Sequence, residues 1–325
     1  MKTKKAISFL LKITIVFCAI LFLYNQISVK LSDKNFIGLN IFQDIRKNTL
    51  YIFLVFVMML FNWVLEALKW RFLIKKVEDI SFLQSIRAIF SGITVSTFTP
   101  NRIGEYGGRI FCLNKADRIQ SILITIIGSI AQLLITIFFG LIGTLYVFKY
   151  FPDYAEYILN SNLLYAALIA LLILLNVFFI FLFLNTSLIH SFLGKFSFFK
   201  KFDKYIQVFS FYDKKELSKV LLFSLARYIV FTTQFYILLN IFNVIDSYFV
   251  AIPLIMTMLF VISVIPTIIF TEISVRGSVA LFLFGLISPN IIGIFTATFF
   301  IWVINLVIPA VIGTAFVFSL KFFRK

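Results

Sequence analysis

The sequence predicts an all-α polytopic membrane protein with about six full transmembrane helices and two re-entrant helical hairpins, arranged as an inverted repeat. Three observations lead to this fold class: the apolar composition, the placement of the basic residues, and two charged segments that interrupt apolar stretches. Hydrophobic residues make up 61% of the 325 residues, and the mean hydropathy is +1.03. This composition leaves no room for a soluble domain.

Six apolar stretches are long enough to cross a bilayer, at about 7–24, 49–70, 119–148, 161–184, 217–242 and 290–319. We interpret residues 1–325 as a single membrane domain. Its parts are an N-terminal helix and external loop (1–48), a first repeat (49–148), a connecting helix with a cytoplasmic basic loop (149–216) and a second repeat (217–320).

The net charge is +16, from 30 Lys and Arg against 14 Asp and Glu. In a soluble protein such a balance suggests a nucleic-acid partner, but here the basic residues cluster between the apolar stretches. This is the positive-inside pattern of membrane proteins. We therefore expect no nucleic acid, a bacterial-type inner (cell) membrane location, and both termini and the loop 185–216 in the cytoplasm.

Two segments are too polar and too interrupted for helices that face lipid on all sides. In each, an apolar arm is followed by a proline and then by a Glu-x-x-x-Arg pair, and we predict hairpins at 81–115 and 249–287. Proline breaks a helix, and glycine permits turns and close approach of the backbone. The residues expected at the two hairpin tips are Pro100, Asn101, Gly104, Gly107, Gly108, Pro266, Thr271 and Gly277.

The two segments repeat one another. Glu105 precedes Glu272 by 167 residues, and Arg109 precedes Arg276 by the same distance. The loop charges place the entrance of the first hairpin on the cytoplasmic side and that of the second on the external side. Inverted repeats of this kind are typical of transporters whose binding site lies between the repeats, near the bilayer midplane.

Charged side chains at such depth are costly and mark functional sites by default. The candidate substrate-binding residues are Arg102, Glu105, Arg109, Glu272 and Arg276, with Arg227 about 15 Å inside the neighbouring span. In the two motifs three arginines face two glutamates, so complete ion pairing leaves one positive charge. The phosphate of a lipid would neutralise that charge, because guanidinium groups bind phosphate in a bidentate manner.

A further charged group ends the stretch 49–70, where Glu66 and Lys69 lie between Trp63 and Trp70. We interpret it as an anchor at the membrane interface. In this interpretation Glu66 pairs locally with Lys69 or Arg71, and its role is structural.

The segments from Thr99 to Arg109 and from Pro266 to Gly277 resemble the two signature stretches of the lysylphosphatidylglycerol synthase transmembrane-region family, also called flippase-like proteins. The resemblance extends over most of the chain. It implies a multi-helix inner-membrane protein that moves lipid. Members of the family that also aminoacylate phosphatidylglycerol carry a soluble domain, which this sequence is not expected to contain.

The expected function is that of a flippase or transporter for an anionic phospholipid or a polyprenyl-phosphate-linked lipid. A membrane enzyme, or an accessory subunit beside a lipid-modifying enzyme or glycosyltransferase, is the alternative; the two glutamates could act as acid and base. A third interpretation is that the charges are structural ion pairs. No catalytic, metal-binding or cofactor motif is recognisable, and the oligomeric state cannot be read from the sequence.

Overall fold

The computed structural model describes residues 41–97, 99, 102–151, 162–193, 195–196, 202–266 and 269–317. Regular structure within these ranges is entirely helical. The predicted first helix at 7–24, most of the segment 149–160 that precedes the predicted span 161–184, and the tip residues Pro100 and Asn101 lie outside the described residues, as does the side chain of Thr271.

The helices in chain order are α1 (Ile41–Lys47), α2 (Thr49–Ile74), α3 (Phe82–Thr97), α4 (Gly104–Ile110), α5 (Arg118–Tyr150), α6 (Asn162–Leu184), α7 (Thr186–Leu193), α8 (Asp203–Ile206), α9 (Lys214–Ile241), α10 (Tyr248–Val264), α11 (Ile269–Phe284), α12 (Ile291–Trp302) and α13 (Ile308–Val317). A short 3₁₀ turn follows α8, and a π-helical turn at Val303–Val307 joins α12 to α13.

Four helices in the described part of the chain are long and apolar enough to cross a membrane. They are α2, α5, α9 and the continuous run from α12 to α13, and they match four of the six predicted spans. A fifth candidate is the pair of α6 and α7, which is bent by 83° at Asn185. The sequence predicted the end of α6 but not the bent continuation.

The spans α5 and α9 begin at N-termini that are capped by side chains. Asp213 and Glu216 form a capping box at the start of α9, and the Asp117 carboxylate accepts backbone N–H bonds at the start of α5. Lys204 donates to Asp117 at 3.0 Å, and this hydrogen bond, with those from the backbone, holds the pKa of the Asp117 carboxyl below its usual value. The basic loop before α9 is thereby attached to the start of α5.

Glycines allow the spans to pack closely on the hairpin arms. A Cβ atom at Gly140 of α5 would lie 2.2 Å from Cβ of Phe260 in α10. A Cβ atom at Gly313 of α13 would lie 2.2 Å from the carbonyl oxygen of Phe90 in α3. Small residues have this role between membrane helices, where close packing replaces the hydrophobic driving force.

The first interrupted segment is a helical hairpin made of α3 and α4. Glu78 ties its two ends together, because its carboxylate accepts the backbone N–H groups of Asn114, Lys115 and Ala116 at 2.7 to 3.0 Å. Near the tip, Arg102 has a φ of 56°, in the left-handed region. The chain reverses there and returns as α4 along α3.

The contact of α4 with α3 depends on Gly108 but not on Gly107. A Cβ atom at Gly108 would lie 2.6 Å from Cα of Gly92, whereas one at Gly107 would meet its nearest neighbour, in Phe111, at 3.8 Å. We expect Gly108→Ala to destabilise the protein by roughly 1–3 kcal/mol through overpacking. Gly107→Ala should be neutral or slightly stabilising, since alanine favours helix. Unfolding in detergent measures both, and equal stabilities would contradict this packing.

The second interrupted segment consists of α10 and α11, joined at the exposed Pro266. Both segments thus place an apolar helix before the tip and a helix with glutamate in its first turn after it. The entry of these hairpins from opposite membrane faces, and the inverted repeat built on it, stay predictions.

Candidate functional site: two buried ion clusters

Glu66 of α2 lies at the centre of the first cluster of charges. Its side chain is 6% exposed, and it is about 12 Å from the C-terminal end of α2. Lys69 lies one turn further along the same face and donates to Glu66 at 2.8 Å and to the carbonyl oxygen of Gly128 at 3.2 Å. Glu66 is therefore buried inside the helix bundle, and the local pair with Lys69 that the sequence suggested is present.

Two arginines from other helices complete this arrangement. Arg109 of α4 contacts Glu66 through Nη1 at 2.9 Å and pairs through Nη2 with Glu105 of its own helix. Arg227 of α9 pairs with Glu66 through Nη1 and donates from Nε to Asn62 at 3.0 Å. We call Glu66, Lys69, Glu105, Arg109 and Arg227 the Glu66 cluster.

Neighbouring residues shape the space for these arginines. Cζ of Arg227 lies 5.4 Å from the centre of the Trp63 ring, a cation–π contact. A Cβ atom at Gly92 would lie 2.9 Å from Cγ of Arg109, so glycine leaves room for the aliphatic part of that side chain. The Glu66 cluster is thus closely enclosed by α2, α3, α4 and α9.

The second cluster joins the two interrupted segments. Arg102, at the tip of the first, contacts Glu272 of α11 at 3.1 Å. Arg276, one turn after Glu272, contacts it through Nη2 at 2.7 Å and through Nε at 2.9 Å. We call Arg102, Glu272 and Arg276 the Glu272 cluster. The two interrupted segments therefore contact each other through Arg102 and Glu272.

The clusters carry more positive than negative charge. The Glu66 cluster has three cations and two carboxylates, and the Glu272 cluster has two cations and one carboxylate, which gives a surplus of one positive charge in each among the described residues. Charge without compensation is expensive away from water. An anion would therefore be stabilised at either cluster if it could reach it.

The two clusters differ in how far their charged side chains are exposed at the surface of the bundle. The side chains of Arg102 and Arg276 are 44% and 17% exposed, whereas that of Arg109 is 4% exposed. Lys69 of the Glu66 cluster is likewise almost fully buried. Arg227 of the Glu66 cluster is 15% exposed, close to the value for Arg276, so Arg102 is the most exposed arginine of the two clusters. The Glu272 cluster, which contains Arg102, is therefore the more accessible of the two to a ligand from outside the bundle.

All six charged residues predicted from the sequence belong to these two clusters: Arg102, Glu105, Arg109, Arg227, Glu272 and Arg276. Both Glu-x-x-x-Arg motifs form intrahelical ion pairs. Gly104 and Gly108 of the predicted tip pack against α3 and Thr99, and Gly277 is buried within α11. Gly107 packs loosely, and Pro266 belongs to neither cluster.

The sequence interpretation missed Glu66, Lys69 and Asn62 as members of the site. Asn62, Glu66 and Lys69 are spaced four and three residues apart, so they share one face of α2. This polar face within an apolar span is the sequence signal that could have assigned the three residues to the site. A group of side chains suited to a metal ion does not occur in the described ranges.

These features define a class of protein: a multi-pass α-helical membrane protein with two net-positive ion clusters, one of which lies at the contact between two interrupted segments. In a comparison with known protein families, residues 9–313 match the lysylphosphatidylglycerol synthase transmembrane region. The chain belongs to that family. The resemblance seen in the two signature segments is thereby confirmed. Comparisons with curated proteins and with solved structures gave no significant match.

Proposed function

We propose that the protein moves a lipid with an anionic phosphate headgroup from one leaflet of the membrane to the other, with the Glu272 cluster as its headgroup site. The observation that carries this proposal is the surplus of arginine over carboxylate at a partly exposed position, where Arg102 meets Glu272 and Arg276. A phosphate diester would supply the missing negative charge. Family membership supports a lipid-related role in a membrane.

Arginine suits this task because its planar fork of N–H donors matches two phosphate oxygens. Arg102 and Arg276 share one carboxylate, so each retains donors that Glu272 does not occupy. An incoming phosphate can bind both guanidinium groups without breaking all of their hydrogen bonds to Glu272. The Glu66 cluster, in contrast, would hold the first hairpin in place.

The arrangement of the two segments suggests how the headgroup moves. In transporters built from inverted repeats, the site stays near the midplane while access alternates between the two sides. Arg102 is contributed by the first segment and Arg276 by the second, so relative movement of the segments would alter the site. We place the protein in a bacterial-type inner membrane, with both termini in the cytoplasm.

A structural role for the clusters is the second candidate. It is favoured by the number of cations that Glu66 alone contacts, namely Lys69, Arg109 and Arg227. We assign this role to the Glu66 cluster and the ligand role to the Glu272 cluster. The two roles are separable because the clusters have their own central carboxylates.

Reconstitution in liposomes tests the function. Fluorescent phosphatidylglycerol, a polyprenyl phosphate and zwitterionic phosphatidylcholine are each incorporated, and movement between leaflets is followed by chemical quenching of the outer leaflet. We expect movement of at least one anionic lipid and none of phosphatidylcholine above the protein-free rate. Binding of anionic lipid without movement would contradict the proposal and favour an accessory subunit of a lipid-modifying enzyme or glycosyltransferase.

A further inference from the structure

An apolar cleft of about 440 Å³ lies between α5, α10 and α11. Val147 of α5, Phe260 of α10, and Val279 and Leu283 of α11 contribute its hydrocarbon lining. The cleft is separate from both ion clusters, and neither the sequence pattern nor the family match assigns it a role. Its position next to α11 makes it relevant to the headgroup site.

The cleft presents hydrocarbon even though three hydroxyl groups line it. Each hydroxyl donates to a carbonyl oxygen of its own helix four residues earlier: Thr144 to Gly140 at 2.8 Å, Thr257 to Pro253 at 2.9 Å, and Ser278 to Ser274 at 2.9 Å. Because these donors are satisfied, a hydrocarbon ligand would leave none of them without a partner. The lining is therefore suited to an alkyl chain.

Along one face of α11, the charged residues come first and residues that line the cleft follow. Glu272, Arg276, Val279 and Leu283 are spaced by four, three and four residues, which places them in one stripe of the helix. The rise from Arg276 to Val279 is only about 4.5 Å. A ligand that extends along this stripe would meet cations first and hydrocarbon next.

We propose that the cleft holds one hydrocarbon chain of the lipid whose phosphate is bound by Arg102 and Arg276. This inference rests on the proposed function and gives the ligand an amphiphilic character: a phosphate with an alkyl chain attached. A phosphate-bearing lipid would fill both parts of the stripe, whereas a free phosphate compound would occupy the cationic part alone. The cleft would thus select lipids over soluble phosphates.

Two measurements in detergent solution test this proposal. In the first, phosphatidylglycerol with a photoreactive diazirine in one acyl chain is bound to the purified full chain and crosslinked, and the labelled peptides are identified by mass spectrometry. We expect label on Phe260 and on Val279 or Leu283. Arg276→Ala should lower this label by about tenfold or more, because charge-assisted bonds to the phosphate are lost.

In the second measurement, the cleft is filled by Val279→Phe, with Val311→Phe on the exposed face of α13 as the matched control. Val279→Phe should weaken binding of phosphatidylglycerol by about tenfold and leave binding of glycerol 3-phosphate unchanged. Val311→Phe should change neither. If either variant fails to fold, crosslinking of the unmodified chain still tests the proposal.

The outcomes separate the cleft from the headgroup site. Equal labelling of the cleft and of the Val311 face would overturn the role of the cleft, and so would unaltered phosphatidylglycerol binding by a folded Val279→Phe protein. If Arg276→Ala still weakens binding of both probes in that case, the cationic site remains. If the unmodified chain binds neither probe, both the cleft and the proposed function are refuted.

Discussion

Replacing Glu66 by alanine is expected to lower the free energy of unfolding by about 3–5 kcal/mol or more, enough to prevent accumulation of folded protein. Lys69, Arg109 and Arg227 all contact this carboxylate, and all three belong to different turns or helices. Without Glu66, Lys69 and Arg227 lose the carboxylate that they contact, and among the described residues Arg109 keeps only Glu105. The measurement is the yield and unfolding profile of the protein in detergent.

Glu105→Ala is the matched control, because it removes the same chemical group from the same cluster. The Glu105 side chain is 26% exposed, and its loss leaves Arg109 paired with Glu66. We expect a clearly smaller destabilisation. The double variant Glu66→Gln with Lys69→Met should be more stable than Glu66→Gln alone, since it has one fewer unpaired cation. Equal effects of Glu66→Ala and Glu105→Ala would show that Glu66 is not the centre of the cluster.

The second large effect is expected at the headgroup site. Arg276→Ala should abolish movement of the anionic lipid, and weaken its binding by about tenfold or more, while the protein still folds and inserts. The reason is that Glu272 keeps Arg102 as a partner after this change, so no buried carboxylate is left without a cation. Arg276→Lys should restore function only in part, because lysine retains the charge but not the planar fork.

Arg46→Ala provides the control for this experiment. Arg46 is an exposed arginine of α1, which ends before α2 begins, and Glu66 lies about 26 Å along α2 from the start of that helix. Its replacement removes the same side chain without affecting either cluster, so transport should persist. Normal transport by folded Arg276→Ala and Arg102→Ala proteins would show that both arginines are structural.

Local features of the chain could be predicted from the sequence because they depend on neighbouring residues. The bounds of α2, α5 and α9 follow from apolar length, and the break before α4 follows from the proline and glycines near residue 100. The pairing of Glu105 with Arg109, and of Glu272 with Arg276, follows from the helical spacing of four residues.

Contacts between distant elements could not be predicted in the same way. The position of Glu66 near the end of a predicted span suggested a local pair with Lys69, which is present, but not its contacts with Arg109 and Arg227. Those contacts depend on how α4 and α9 are rotated against α2, and hydropathy alone does not determine rotation in a chain that is apolar on most faces. The bend after α6 is another example, since a polar Asn185 is compatible with either a loop or a turn.

The central claim is that a lipid phosphate binds the guanidinium groups of Arg102 and Arg276. Solid-state NMR of proteoliposomes containing phosphatidylglycerol can detect through-space coupling between lipid phosphorus and arginine guanidinium nitrogens. We expect a coupling that disappears in the double variant Arg102→Ala with Arg276→Ala and persists in Arg46→Ala. An identical set of phosphorus–guanidinium couplings in the double variant and the unmodified protein would contradict the claim.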